Sequence, residues 1–145
     1  MSTVTTVGKL YLVDTSALAR SKHEVVRSVI AGLIVDRAAA TCVTVDLEVG
    51  YSARKHAEFQ QVTERRRSLY VDLPMNAAVA ERAREVQSRM SARSQLRAAG
   101  VVDILTAAVA EHHGAVVLHY DSDFEHIAAV TGQPQLWIAP RGSLN

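Results

Sequence analysis

Short apolar runs of strand length alternate with longer runs of helical spacing through this chain, and that alternation limits the fold more than any other feature. The first strand is predicted at Leu10–Val13, stopped by Asp14, Thr15 and Ser16, residues that also open helices well. Val25, Val26, Val29, Ile30, Leu33 and Ile34 recur at helical spacing and predict an amphipathic helix from His23 to Arg37. The β-branched run Thr41–Val45 predicts a second strand, followed by a helix that carries Glu48. A polar, arginine-rich stretch through Arg65–Arg67 reads as a solvated helix face or turn. Leu69–Leu73, ahead of Pro74, predicts a third strand, and Met75, Val79, Ala83, Val86 and Met90 mark another helix. Residues 91–100 read as a loop or a frayed helix end. A helix over Val102–His113 then stops at Gly114. Ala115–His119 is a buried strand, Phe124–Val130 a short helix and Gln135–Ile138 a last strand, while residues 1–8 form a loose polar start. Strands that alternate with helices imply a parallel sheet covered on both faces, with ligands bound beyond the carboxyl ends of the strands.

At 145 residues the chain is expected to form one domain with a real core. The net charge of +1 does not by itself mark a nucleic-acid binder, and aromatics, at 5%, offer little surface for base stacking. The basic character comes mainly from arginine, since the only lysines are Lys9, Lys22 and Lys55. A single cysteine, Cys42, excludes an internal disulfide and suits a reducing cytosol. No apolar run is long enough to span a bilayer, and residues 1–9 lack the apolar segment of a signal peptide, so a cytoplasmic protein is expected.

Four acids stand at places that matter in such a fold. Asp14 and Asp121 each follow a strand-like run, and Glu48 and Asp103 lie near the start of helix-like runs. Each has a local explanation: Asp14 as a helix cap, Glu48 as a complement to a helix dipole, Asp121 and Asp123 as turn formers around Ser122. Asp103 resists that treatment, because it interrupts Val101, Val102, Ile104 and Leu105 close to buried surface, where an unpaired charge is expensive. Clustered carboxylates repel one another unless a divalent cation neutralises them. Four acids at four consistent positions therefore point to a magnesium-type site and to phosphodiester chemistry, with Asp123 as a further candidate ligand.

Other residues carry weaker signals. Cys42 lies in a predicted apolar strand with no assignable base and reads as core. His119, just before Asp121, is in position to flank the site but reads rather as packed or solvent-facing, His112 and His113 as helix-end residues without a zinc partner, and Trp137 as core. No phosphate-binding glycine loop and no nucleophile elbow occurs.

Taken in order, the motifs resemble the PIN-domain ribonucleases, in particular the VapC toxins of bacterial VapBC toxin–antitoxin pairs. The matching features are the strand ending in D-T-S at Asp14–Ser16, the helical Glu48, Asp103 opening a D-x-L-x-A-A helix, and D-S-D-F at Asp121–Phe124. The resemblance runs from residue 10 to 138 and implies an α/β/α sandwich with a parallel sheet ordered 3-2-1-4-5. It also implies that Asp14, Glu48, Asp103 and Asp121 form a catalytic quartet that binds Mg²⁺ or Mn²⁺, with Asp123 as an added acid and Thr15 and Ser16 as supporting hydroxyls. The implied partners are an RNA substrate, a small VapB-type antitoxin and a second copy of the chain.

Such a quartet would direct an in-line attack of water on the phosphodiester, leaving a 5′-phosphate and a 3′-hydroxyl. Because the acids repel the RNA backbone, basic side chains must hold it, and Arg93, Arg97, Arg20 and Lys22 are the candidates. Two alternatives stand beside the nuclease. An aspartate-based phosphatase would need a lysine in the second half of the chain and a D-x-D after the first strand, and neither is present. A non-catalytic PIN-like module binding RNA or protein would have no use for an intact quartet.

Overall fold

The computed structural model describes residues 8–144, so all of the expected polar start except Gly8 lies outside the described residues. Five strands form one sheet: β1 (Tyr11–Val13), β2 (Ala39–Thr41), β3 (Val71–Asp72), β4 (Val116–His119) and β5 (Gln135–Trp137). Their order is β3-β2-β1-β4-β5 and every pairing is parallel, as the family resemblance implied. Among the described residues seven helices connect and cover the strands: α1 (Thr15–Leu18), α2 (Glu24–Val35), α3 (Val43–Tyr51), α4 (His56–Leu69), α5 (Ala77–Ala92), α6 (Val101–His112) and α7 (Asp123–Thr131).

The two-residue period of the strands divides the core into two layers. Leu12, Ala40 and Val117 face one side, where they pack with Val79, Val86 and Met90 of α5, Ile104 and Ala108 of α6, and Phe124 and Ile127 of α7. Tyr11, Val13, Ala39, Val116 and Leu118 face the other, against Ala17 of α1 and Val26, Ile30 and Leu33 of α2. The result is a three-layer α/β/α sandwich. β1 sits at its centre, and its register with β4 pairs Val13 with Leu118. Asp14 and the segment after His119 therefore leave the sheet side by side.

Two predicted strands needed correction: the third is Val71–Asp72 rather than Leu69–Leu73, because Leu69 closes α4. The second strand is Ala39–Thr41 rather than Thr41–Val45, and α3 begins at Val43. Strand propensity lost to tertiary context here: Ala39 and Ala40 are completely buried, and that site takes small residues. Cys42 is accordingly not in the strand but caps α3 in an extended conformation, although it is buried as expected. Thr44 Oγ1 lies 2.6 Å from Thr106 Oγ1, which ties the first turn of α3 to α6.

The arginine-rich stretch is a regular helix, α4, in which no residue is buried. It rests on α3 where Gly50 lets Phe59 approach; a Cβ on Gly50 would stand 2.9 Å from Phe59 Cε1. Arg66 anchors it further. Its guanidinium donates to Thr41 Oγ1 at 2.9 Å, pairs with Asp46 Oδ1 at 3.2 Å and lies 4.4 Å from the centre of the Tyr70 ring. Charge-assisted bonds combined with a stacked ring hold better than a solvated surface pair.

Candidate metal centre

Asp14 marks the carboxyl end of β1. Its peptide N–H donates to Leu118 O at 2.9 Å, locking it against β4, and its Oδ2 accepts the N–H of Ser16 at 2.9 Å to cap α1. The side chain is almost fully buried, and Oδ1 has no hydrogen-bond partner among the described residues. Burial therefore pushes the Asp14 carboxyl above its ordinary value, outweighing the stabilising bond from Ser16. An orphaned buried carboxylate oxygen is costly unless a ligand completes it.

The hydroxyls that follow Asp14 link it to two other acids. Thr15 Oγ1 donates to Glu48 Oε1 at 2.8 Å, drawing the exposed Glu48 of α3 towards the end of β1. Ser16 Oγ accepts the peptide N–H of Tyr120 at 2.9 Å, holding the segment that leads into Asp121.

Asp103 stands in the first turn of α6, and Asp121 and Asp123 at the start of α7. The two helix starts meet through Asp123 Oδ2, which accepts the N–H of Gly100 at 3.1 Å. Asp121 Oδ1 accepts the N–H of Asp123 at 3.0 Å. Carboxylate oxygens of Asp103, Asp121 and Asp123 all lie within 4.8 Å of one another. Burial, a hydrogen bond with Asp123 and then the charges of Asp14, Asp121 and Asp123 push the Asp103 carboxyl up to about 8. A proton shared within this cluster relieves repulsion that a divalent cation would relieve more fully. The orphaned Asp14 oxygen and the all-oxygen donor set both fit a hard divalent ion.

The structure thus brings Asp103, Asp121 and Asp123 into one cluster, places Asp14 within electrostatic reach of it, and attaches Glu48 through Thr15. The four basic candidates are placed unequally. Arg20 donates to Ser16 O at 3.3 Å, and its guanidinium stacks 4.7 Å from the centre of the Tyr120 ring, so it flanks the two loops that carry Asp14 and Asp121. Lys22 and Arg97 are exposed. Arg93 Nη1 donates to Ala129 O at 3.0 Å, which ties it near the end of α7 opposite Asp123. Trp137, expected in the core, is only partly buried and packs edge-on to Tyr120.

Two features of the site were not legible in advance. His119 is completely buried beside Asp121, with a ring nitrogen bonded to the Asp121 peptide N–H. An open groove of about 1130 Å³ also runs from Thr15 and Glu48 between α2 and α4, walled mainly by apolar side chains such as Leu18, Ile30, Leu47 and Val62.

The PIN domain family matches residues 11–130, a stretch that includes every acid of the site. This chain belongs to the PIN-domain family. The PIN domain is 44% identical over 135 residues to Ribonuclease VapC51 of Mycobacterium tuberculosis, covering 93% of this chain and 97% of the relative. It is 41% identical over 135 residues to Ribonuclease VapC21 of the same species, covering 92% and 96%. Among solved structures it is similar to VapBC from Salmonella typhimurium bound to DNA, with a TM-score of 0.74 and 17% identity over 90% of this chain and 99% of that one. VapBC2 from Rickettsia felis, also bound to DNA, gives a TM-score of 0.72 at 14% identity over 88% and 98%. At such low identity these two structures establish the shared fold.

Proposed function

We infer that this PIN domain is a metal-dependent endoribonuclease that hydrolyses RNA phosphodiester bonds as the toxin of a toxin–antitoxin pair. The observation that carries the reading is the Asp103–Asp121–Asp123 cluster beside the orphaned Asp14 oxygen, in a chain whose near-full-length relatives are VapC ribonucleases. We assign Asp14, Glu48, Asp103 and Asp121 as the catalytic acids, Asp123 as an additional ligand, and Mg²⁺ or Mn²⁺ as the metal. When bound, the cation supplies Lewis-acid stabilisation of charge at the reacting phosphate and makes water a better nucleophile.

The remaining work falls to the protein. Ser16 holds both the Asp14 carboxylate, through its N–H, and the Tyr120 peptide, through its hydroxyl, so the two strand ends keep a fixed separation. Thr15 orients Glu48, which is exposed and free to accept a proton from water or to place it. Arg20 beside the Asp14 loop, the exposed Lys22, and Arg97 ahead of Asp103 in sequence are proposed to hold the RNA backbone against the repulsion of the acids. Arg93 belongs to this set only through a rearrangement that frees it from Ala129.

The partner reading rests on the groove. It is apolar, it opens beside Thr15 and Glu48, and it suits an amphipathic segment whose polar end reaches the acids. The similar structures from Salmonella and Rickettsia are described as VapBC, and a VapB-type antitoxin is the occupant we propose. Among the described residues no helix is long and apolar enough to cross a membrane, and we place the protein in the cytoplasm, as one PIN domain with its core over residues 10–138.

Total RNA incubated with the protein and Mg²⁺ or Mn²⁺, beside EDTA and an Asp14→Asn, Asp103→Asn double variant, tests this reading. Discrete fragments that require both cation and carboxylates are expected. RNA that binds but stays intact under either metal would favour a non-catalytic module instead.

A further inference from the structure

The turn that carries Asp121 and Asp123 lies past the end of β4, where its peptide N–H groups no longer have a neighbouring strand to pair with. Side chains take over as acceptors: Ser16 Oγ for Tyr120, His119 Nδ1 for Asp121 at 3.1 Å, and Asp121 Oδ1 for Asp123. His119 is the buried member of this series. A peptide N–H can only donate, so Nδ1 must present its lone pair, and the ring proton of the neutral imidazole then resides on Nε2. Nε2 faces Gln135 Oε1 at 2.5 Å, an acceptor on β5 that matches this tautomer. Phe124 and Trp137 hold the ring between them, each with its centre 5.0 Å away. The His119 peptide carbonyl also accepts Ile138 N–H at 2.8 Å, so the backbone at His119 is fixed as firmly as its ring.

We infer that His119 is a positioning residue for the metal centre: locked in one tautomer by Gln135, it fixes the Asp121 peptide, and with it the direction of the Asp121 carboxylate. Burial alone requires that both ring nitrogens be satisfied, but it does not require that one of them hold the peptide of an acid in the cluster, as Nδ1 does here. Removing a partner that orients a ligand from behind typically costs about 10–100-fold in metal affinity. The chain from Gln135 through His119 to Asp121 thus extends the site to β5, a strand that contributes no acid to it. This role rests on the metal-nuclease reading above, but the tautomer does not.

Two measurements on the full chain test it. Imidazole ¹⁵N–¹H correlation spectra of the wild type should show His119 protonated on Nε2 and bare on Nδ1; a proton on Nδ1 would overturn the inference. Calorimetric titration with Mn²⁺ should show His119→Leu, which fills the space without an acceptor, binding about 10–100-fold more weakly than wild type. His119→Asn, which returns an acceptor near the Nδ1 position, should recover part of that loss. A folded His119→Leu that binds Mn²⁺ within about twofold of wild type would reduce His119 to core packing. Should His119→Leu fail to fold, Gln135→Leu keeps the ring and removes its lock. That variant frees the far side of the ring and should weaken Mn²⁺ binding, and an affinity within about twofold of wild type would overturn the role. Wild-type protein that binds no Mn²⁺ would contradict the nuclease reading itself, whatever the tautomer, and this role would fall with it.

Discussion

Thr15 Oγ1 donates a 2.8 Å hydrogen bond to Glu48 Oε1, joining residues 33 positions apart. Among the described residues this is the only hydrogen bond to the Glu48 side chain, which otherwise projects from an exposed face of α3. Thr15→Val should therefore cost only about 1 kcal/mol of stability, the usual net value of one hydrogen bond. Cleavage should fall much further, and Thr15→Ser should restore it. Thermal melts and single-turnover cleavage on the three proteins separate the two effects. Combining Thr15→Val with Glu48→Gln should give less than the sum of the separate losses.

Asp103 makes the cation-free protein sensitive to pH in a direction opposite to that of an ordinary salt-bridged carboxylate. Its carboxyl is pushed up to about 8 in the folded chain, while in the unfolded chain it ionises near the ordinary aspartate value of 3.8. Between those limits the folded state binds more protons, so stability is greatest at the acid end and declines as pH rises towards 8. Asp14, also pushed up by burial, adds in the same direction. A divalent cation takes the ionised form and reverses the trend. Melting curves at pH 6 and pH 8, with EDTA or with Mg²⁺, should show the larger metal-induced gain at pH 8.

Asp103→Asn should separate stability from function. Without cation the variant loses a repelling charge, so it should melt at least as high as wild type, with the gain clearest at pH 8 and above. RNA cleavage should nevertheless fall by at least about 100-fold, since loss of a ligand costs no less than loss of its outer support. A variant that both melts early and cleaves poorly would mark Asp103 as a structural residue.

The arginines of α4 should behave differently from one another despite being neighbours. Arg66 has a side chain only 12% exposed, bonded to Thr41 and Asp46 and stacked on Tyr70. Arg66→Ala should destabilise by about 2 kcal/mol through loss of charge-assisted bonds. Arg67→Ala, at an exposed position, should stay within about 0.5 kcal/mol of wild type. Urea titration of the two variants measures the difference.

The sequence disclosed those parts of the molecule that depend on local pattern. β1 and β4 were readable because short apolar runs end abruptly in polar residues, and the same stops put Asp14 and Asp121 at the carboxyl edge of the sheet. β2 was displaced because Val43, Thr44 and Val45 carry strong strand preference yet lie in a helix, while the true strand is built of alanines that burial favours. α4 has no apolar stripe to announce it, since none of its residues is buried. The acids could be named one by one, but their grouping could not. Whether Asp123 joins Asp103 depends on the Gly100 N–H that holds it, a contact 23 positions away. His119 was ambiguous for the same reason: its role is set by Gln135 and by the turn after it, and neither contact leaves a periodic trace.

The most direct test is to determine the ends of the fragments cut from a defined single-stranded RNA that the protein cleaves. Cleavage at a metal-dependent carboxylate site should leave a 5′-phosphate and a 3′-hydroxyl, require Mg²⁺ or Mn²⁺, and vanish in Asp103→Asn. Fragments ending in a 2′,3′-cyclic phosphate, or cutting that persists in EDTA, would place the chemistry on other residues and contradict the assignment of this site.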